Sequence, residues 1–227
     1  MIISINQPAY LPWLGYFERI AKSDLHVVLD HVQFEKNSMV NRNKINSPNG
    51  PSLLTVPVKT AKKFGDLAIN NIQINNQNKW QKKHWQSIFF NYKKSDYFHL
   101  YQASLEAQYQ QDWTNLNSLL KVQLKFFLST LKITTPIIYS SELNLTKTKS
   151  ELVLEICKNQ NATTYLSGPF GRDYLELEAF KKNDIKVTYQ DYLHPIYSQF
   201  NDTFESHLST LDLLMHHGNE AINILRS

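Results

Sequence analysis

The chain has 227 residues, of which 42% are hydrophobic and 12% aromatic, and a formal net charge of +4. That composition supports a folded core and excludes a disordered chain. The small positive charge suits an anionic small ligand and falls short of the basic stripe of a dedicated nucleic-acid binder. The single cysteine, Cys157, excludes an internal disulfide and a cysteine-based zinc cluster, and it suits a reducing cytoplasm. No run of about 18 apolar residues is present, so no membrane insertion is expected. Met1–Ile5 carries no basic region ahead of its apolar run, so it reads as a strand rather than a signal peptide. The length predicts one domain over residues 1–227, with or without a helical subdomain, and the lack of an expected membrane span or signal peptide predicts a cytoplasmic protein.

In chain order, Ile2–Ile5 reads as a strand running into the turn Asn6-Gln7-Pro8-Ala9-Tyr10-Leu11-Pro12. Trp13–Lys22 carries apolar side chains at Trp13, Tyr16, Phe17 and Ile20, a helical stripe. Leu25–Leu29 is a nearly continuous apolar run, as expected of a strand buried on both faces of a parallel sheet. Together these form a βαβ unit, and ligands in such sheets sit beyond the carboxyl ends of the strands. The rule places Asn6, Gln7, Asp30 and Gln33 on one rim. A basic polar segment, Asn41-Arg42-Asn43-Lys44, follows. Ser47–Pro51 predicts a turn, Leu53–Val58 a strand, Lys59–Gly65 a basic loop and Ala68–Ile74 a further strand. Apolar residues at threes and fours predict helices over Trp80–Tyr92, Tyr97–Tyr109 and Trp113–Leu131, the last capped by Asp112 or Thr114. They form a helical insertion at about 76–133 in a mostly parallel, Rossmann-like sheet. Alternation then resumes with a strand at Pro136–Tyr139, a helix at Lys149–Gln160, a strand at Thr163–Leu166, a helix at Tyr174–Lys181 and a strand at Ile185–Tyr192. Two closing helices, Leu208–His217 and Asn219–Leu225, break at Gly218.

The eight histidines show no metal-ligand spacing, so no metal site is expected. No nucleophile elbow, Walker sequence or GxGxxG is present. Anion capture therefore falls to Lys36, Arg42 and Lys44, with Arg42 the best fork for phosphate or carboxylate. Lys79–Lys94 interleaves lysines and aromatics, which reads as a packed amphipathic helix with a solvated basic side in preference to a base-stacking surface. Asp30 and His31 are adjacent at a strand end and face opposite sides, so one of them reaches a given cleft as proton acceptor. Ser167 follows a strand and precedes Gly168, where it meets a ligand or simply closes a turn.

The segments NQPAYLPWLGYFERIAKSD, LDHVQFEKNSMVNRNKI, LLTVPV, YLSGPFGRDYLE and LSTLDLLMHHG together resemble the WbqC-like family of bacterial proteins, nearly end to end. The resemblance implies a cytoplasmic role in O-antigen or other surface-polysaccharide biosynthesis, on an activated sugar. It picks out Gln7, Pro8, Tyr10, Trp13, Asp30, Gln33, Asn41 and Arg42, whereas Asn6 stands where the family usually has histidine and His31 where it usually has aspartate. A weaker similarity to HIGH-type nucleotidyltransferases, with Trp13-Leu14-Gly15-Tyr16 in place of their signature, supports the fold more than the reaction. The resulting expectation is transfer of an acyl or aminoacyl group to a nucleotide-linked amino sugar. Asp30 or His31 serves as base, Asn6, Gln7 and Asn41 position the substrate, Arg42 and Lys36 hold charge, and Tyr10 and Trp13 wall the ligand. Nucleotidyl transfer and a non-catalytic assembly module are the alternatives. The sequence assigns no cofactor and no oligomeric state.

Overall fold

The computed structural model describes residues 1–60, 67–201 and 203–226. Residues 61–65 of the expected basic loop, and residue 202, lie outside the described residues. Five short strands make one sheet: β1 (Ile2–Asn6), β2 (Leu25–Val28), β5 (Ile137–Tyr139), β6 (Thr164–Ser167) and β7 (Lys186–Tyr189). Their order is β5-β2-β1-β6-β7 and every pairing is parallel. Ile3 sits at the centre, opposite Leu25 on one side and Tyr165 on the other. Both faces are covered, which is why the central strands are runs of Ile, Val and Leu with little alternation. On one face, helix α5 (Lys149–Asn159) lays Leu152, Val153, Ile156 and Cys157 against Ile3, Ile5, Val27 and Tyr165. On the other lies a larger cluster built around helix α1 (Leu14–Ala21).

Helix α1 is buried from Leu14 to Ile20, on all sides rather than along one stripe. The surrounding layer is made by α2 (Trp80–Tyr92), α3 (Phe98–Gln110), α4 (Leu116–Thr130), α7 (Thr210–His217) and α8 (Ala221–Arg226). Trp80, Ile88, Leu105, Leu116, Leu120 and Phe127 from this layer share one apolar cluster with Leu14 and Phe17. The periodicity that predicts α2, α3 and α4 is thus a record of one buried face each. No helix of the described residues is long and apolar enough to cross a membrane.

Four expectations are corrected. The basic segment at Arg42 is a strand: β3 (Arg42–Ile45) pairs antiparallel with β4 (Ser52–Thr55), with Asn43 and Ile45 buried and Lys44 exposed between them. The predicted strand at Ala68–Ile74 is a 3-10 turn over Ile69–Asn71 flanked by isolated bridges at Ala68 and Ile74, because Ile69 and Ile72 turn into the core while the Asn70 carbonyl accepts from Asn115. The cap of α4 is Asn115, whose side chain accepts from the Ser118 amide, so the helix starts later than the apolar pattern suggested. Near the end of the chain, Pro169–Asp173 winds as a 3-10 turn and defers helix α6 to Leu177–Lys181.

Candidate functional site

The sheet order reverses at β1. From β1 the chain builds outward through β2 and β5, then returns to add β6 and β7 on the other side. Crossovers on either side of such a point leave a crevice beyond the carboxyl ends of the two strands that flank it. A cleft of about 390 Å³ occupies that place, between the ends of β1 and β6. Among the residues expected at the site, Asn6, Gln7, Pro8, Trp13 and Ser167 line it. Met39 and Val40, from the segment before β3, and Pro169 and Phe170, after β6, also line it. Phe170 is 80% exposed, and Met39 is exposed as well.

Trp13 stands immediately before α1, stacked 5.5 Å from His207 and edge-on to Tyr192 at 5.7 Å. Its indole folds back over Gly15, where a Cβ would collide with the ring. That contact is the physical content of the Trp-Leu-Gly spacing. Gly168 has a matching role, since a Cβ there would collide with Nη1 of Arg19.

Arg19 was not anticipated from the sequence. It extends from the last turn of α1 to the cleft and is only 8% exposed. Burial pulls its pKa down from the usual arginine range, partly offset by Tyr165, Tyr16, Tyr174 and Glu18. Gln190, also unforeseen, lines the cleft with its amide donating to the Gly15 carbonyl and to the Glu18 carboxylate. No single-stripe reading of α1 signals Arg19; the clue available in the sequence was a charged pair, Glu18-Arg19, inside an otherwise apolar helix.

The other expected residues lie elsewhere. Tyr10 is fully enclosed, its hydroxyl 2.7 Å from His84 Nδ1 and 2.6 Å from the Tyr109 hydroxyl. Asn41 is buried and donates to the Val56 carbonyl. Gln33 accepts from the Leu67 amide and donates to the Phe34 carbonyl, tying the chain after β2 to the residues just before Ile69–Asn71. The Arg42 guanidinium donates to the side chain and carbonyl of Asn37. Lys36 and Lys44 are exposed.

Asp30 and His31 form a separate cluster at the end of β2, against β5. Asp30 is 0% exposed and accepts from Asn117 Nδ2 (2.8 Å), Ser140 Oγ (3.2 Å), the Ser141 amide (2.9 Å) and Ser141 Oγ (2.8 Å). His31 is half-buried with Nδ1 2.6 Å from Ser140 Oγ. Burial lowers its pKa below the usual histidine value, with Asp30 and Glu155 pulling the other way. A second Ser–His contact, Ser4 to His26 at 2.7 Å, lies wholly inside the sheet with both residues 0% exposed, so no substrate reaches it. Among the described residues, no group of three or more His, Cys, Asp or Glu side chains is placed to hold a metal ion.

Fold and cleft together define a mixed α/β protein with a ligand-sized opening at the carboxyl edge of a five-stranded parallel sheet. The model of the WbqC-like protein family matches residues 7–224, and the chain belongs to that family. A protein of Mycobacterium tuberculosis (strain ATCC 25618 / H37Rv) described as "Uncharacterized protein Rv1507c" is 34% identical over 226 residues, which span 99% of this chain and 97% of the relative. No solved structure matches the chain. Family membership supports a general biosynthetic, enzymatic role.

Proposed function

We propose that the chain is a cytoplasmic enzyme of bacterial surface-polysaccharide biosynthesis that binds a nucleotide-linked sugar in the β1/β6 cleft. The reaction we assign is transfer of an acyl or aminoacyl group to an amino sugar. The observation that carries the reading is the position of the cleft: a ligand-sized opening at the strand-order reversal of the five-stranded parallel sheet, walled by Asn6 and by Gln7, Pro8 and Trp13 of the segment that carries the family resemblance. In this reading Asn6 and Gln7 position the sugar, Phe170 offers it a ring face and Trp13 walls the cleft.

The Asp30 cluster at the end of β2 is not among the residues that line this cleft, and its proton relay is separate from it. Ser140 has one hydroxyl proton. Given to Asp30, it makes His31 the donor in the contact between them, with the proton on Nδ1 and the lone pair on Nε2. Lowered basicity favours the neutral imidazole, a proton acceptor for a group that reaches the end of β2 rather than the β1/β6 cleft. The sugar nitrogen, as free amine, forms the new amide bond while the donor's leaving group departs with the proton the nitrogen gives up.

The test is thermal unfolding of the full chain with uridine- and thymidine-diphosphate amino sugars. A ligand at a hundred times its Kd stabilises by about 2.7 kcal/mol. The expected result is a rise in Tm that the Trp13→Ala variant reduces. Absence of any shift with every nucleotide-linked sugar contradicts the reading. Release of pyrophosphate from a nucleoside triphosphate would replace it with nucleotidyl transfer, and partner proteins retained by a Trp13→Ala variant that binds no small molecule would replace it with an assembly module.

A further inference from the structure

We propose that Arg19 is the residue that holds the anionic group of the ligand in the β1/β6 cleft, gripping a phosphate or carboxylate with its planar fork. The proposal rests on the reading of that cleft as the ligand site and specifies which part of the ligand enters deepest.

Among the described residues that line the cleft, Arg19 is the only charged one. Its Nε is buried with no hydrogen-bond partner. No carboxylate lies within ion-pair distance of the guanidinium among the described residues, and the neighbouring Glu18 is engaged by Lys22 and Gln190. A buried cation left without a counter-charge is a costly arrangement. The fold has nevertheless brought this side chain to the carboxyl end of β6 and kept a glycine at 168 to receive it. An oxyanion entering the cleft completes the site, because a guanidinium pairs with two oxygens of a phosphate or carboxylate at once. Arg42 is less suited to that task, since its guanidinium is already held by Asn37.

The charge end of the ligand therefore sits at Arg19 and the rest extends toward Phe170 and Trp13 at the mouth. The oxyanion comes from one of two sources: the diphosphate of a nucleotide-linked sugar or the carboxylate of an acyl or aminoacyl donor.

The experiment follows the Arg19 Nε–Hε cross-peak in the full chain while inorganic pyrophosphate or acetate is added, and measures the affinity of both anions for Arg19→Met and Arg19→Lys. The expected result is a saturable movement of the peak in the wild-type chain. Arg19→Met is expected to bind about tenfold or more weakly, and Arg19→Lys, which keeps the charge but not the fork, to fall between. Saturation at lower pyrophosphate than acetate assigns the site to phosphate, and the reverse order assigns it to carboxylate. If Arg19→Met does not fold, the wild-type peak and Arg19→Lys still decide. An unmoved Arg19 peak with both anions, or equal affinity in the variants that fold, overturns the proposal. A nucleotide-linked sugar bound equally by wild type and Arg19→Met sinks the role of Arg19 while the cleft reading stands. Arg19-dependent pyrophosphate binding with no affinity for any nucleotide-linked sugar supports Arg19 and sinks the sugar reading.

Discussion

The Asp30→Ala variant is expected to lose about 3–5 kcal/mol of stability, a large share of what a domain of this size has. Four donors converge on this carboxylate, from Asn117, Ser140 and the backbone and side chain of Ser141. They join the end of β2 to the start of α4 and to the turn after β5, so the side chain closes three elements around one acceptor. Removing it strands buried donors, and each unsatisfied group carries its full desolvation cost. Lys121, 4.0 Å away and partly exposed, is too loosely placed to compensate. Urea unfolding reads the effect directly as a lower midpoint at unchanged slope. A variant as stable as the wild type would show that Asp30 is not the anchor its bonds describe.

Acid is the second lever. Burial holds His26 at a pKa of about 3 and His84 at about 4, both below the ordinary histidine value. A depressed folded-state pKa means that the unfolded chain takes up the proton first, so stability is complete above about pH 6.5 and falls as pH drops toward the folded value. For His26 alone, fully enclosed against Ser4 and Tyr16, the expected loss between pH 7 and pH 4 is roughly 3 kcal/mol. Asp212 works in the opposite sense. Burial raises its carboxyl pKa despite bonds from Tyr92, Tyr197 and Gln199, so the folded state holds that proton more tightly and gains from acid. The histidine contribution is isolated by His26→Gln, whose stability curve is expected to be flatter between pH 4 and pH 6.5. An unchanged slope in that variant would remove His26 from the account.

Much of this architecture follows from local pattern, and the parts that do not share a physical cause. The β1-α1-β2 unit is specified by short apolar runs set off by its turns and α2–α4 by their apolar periodicity, so their boundaries fall within a few residues of expectation. The pairing of β1 with β6 joins residues some 160 positions apart. No local signal encodes it, yet it is this pairing that opens the cleft on the β6 side of β1. Hence Asn6, Gln7 and Ser167 meet at one opening, while Asp30 and Gln33, on the β2 side, serve a different neighbourhood. Tyr10 illustrates a second difficulty. A tyrosine in a polar turn reads as a ligand wall, but a buried phenol satisfied by His84 and Tyr109 has the same sequence appearance. Arg19 illustrates the third, because a helix enclosed on every side gives no stripe to set a functional charge apart from a solvated one.

The measurement that tests the central claim most directly is a structure of the chain soaked with a uridine-diphosphate amino sugar. The account predicts the ligand between the carboxyl ends of β1 and β6, with Asn6, Gln7 and Trp13 against it. Ligand density at any other place, with the β1/β6 cleft empty at a saturating concentration, would contradict it.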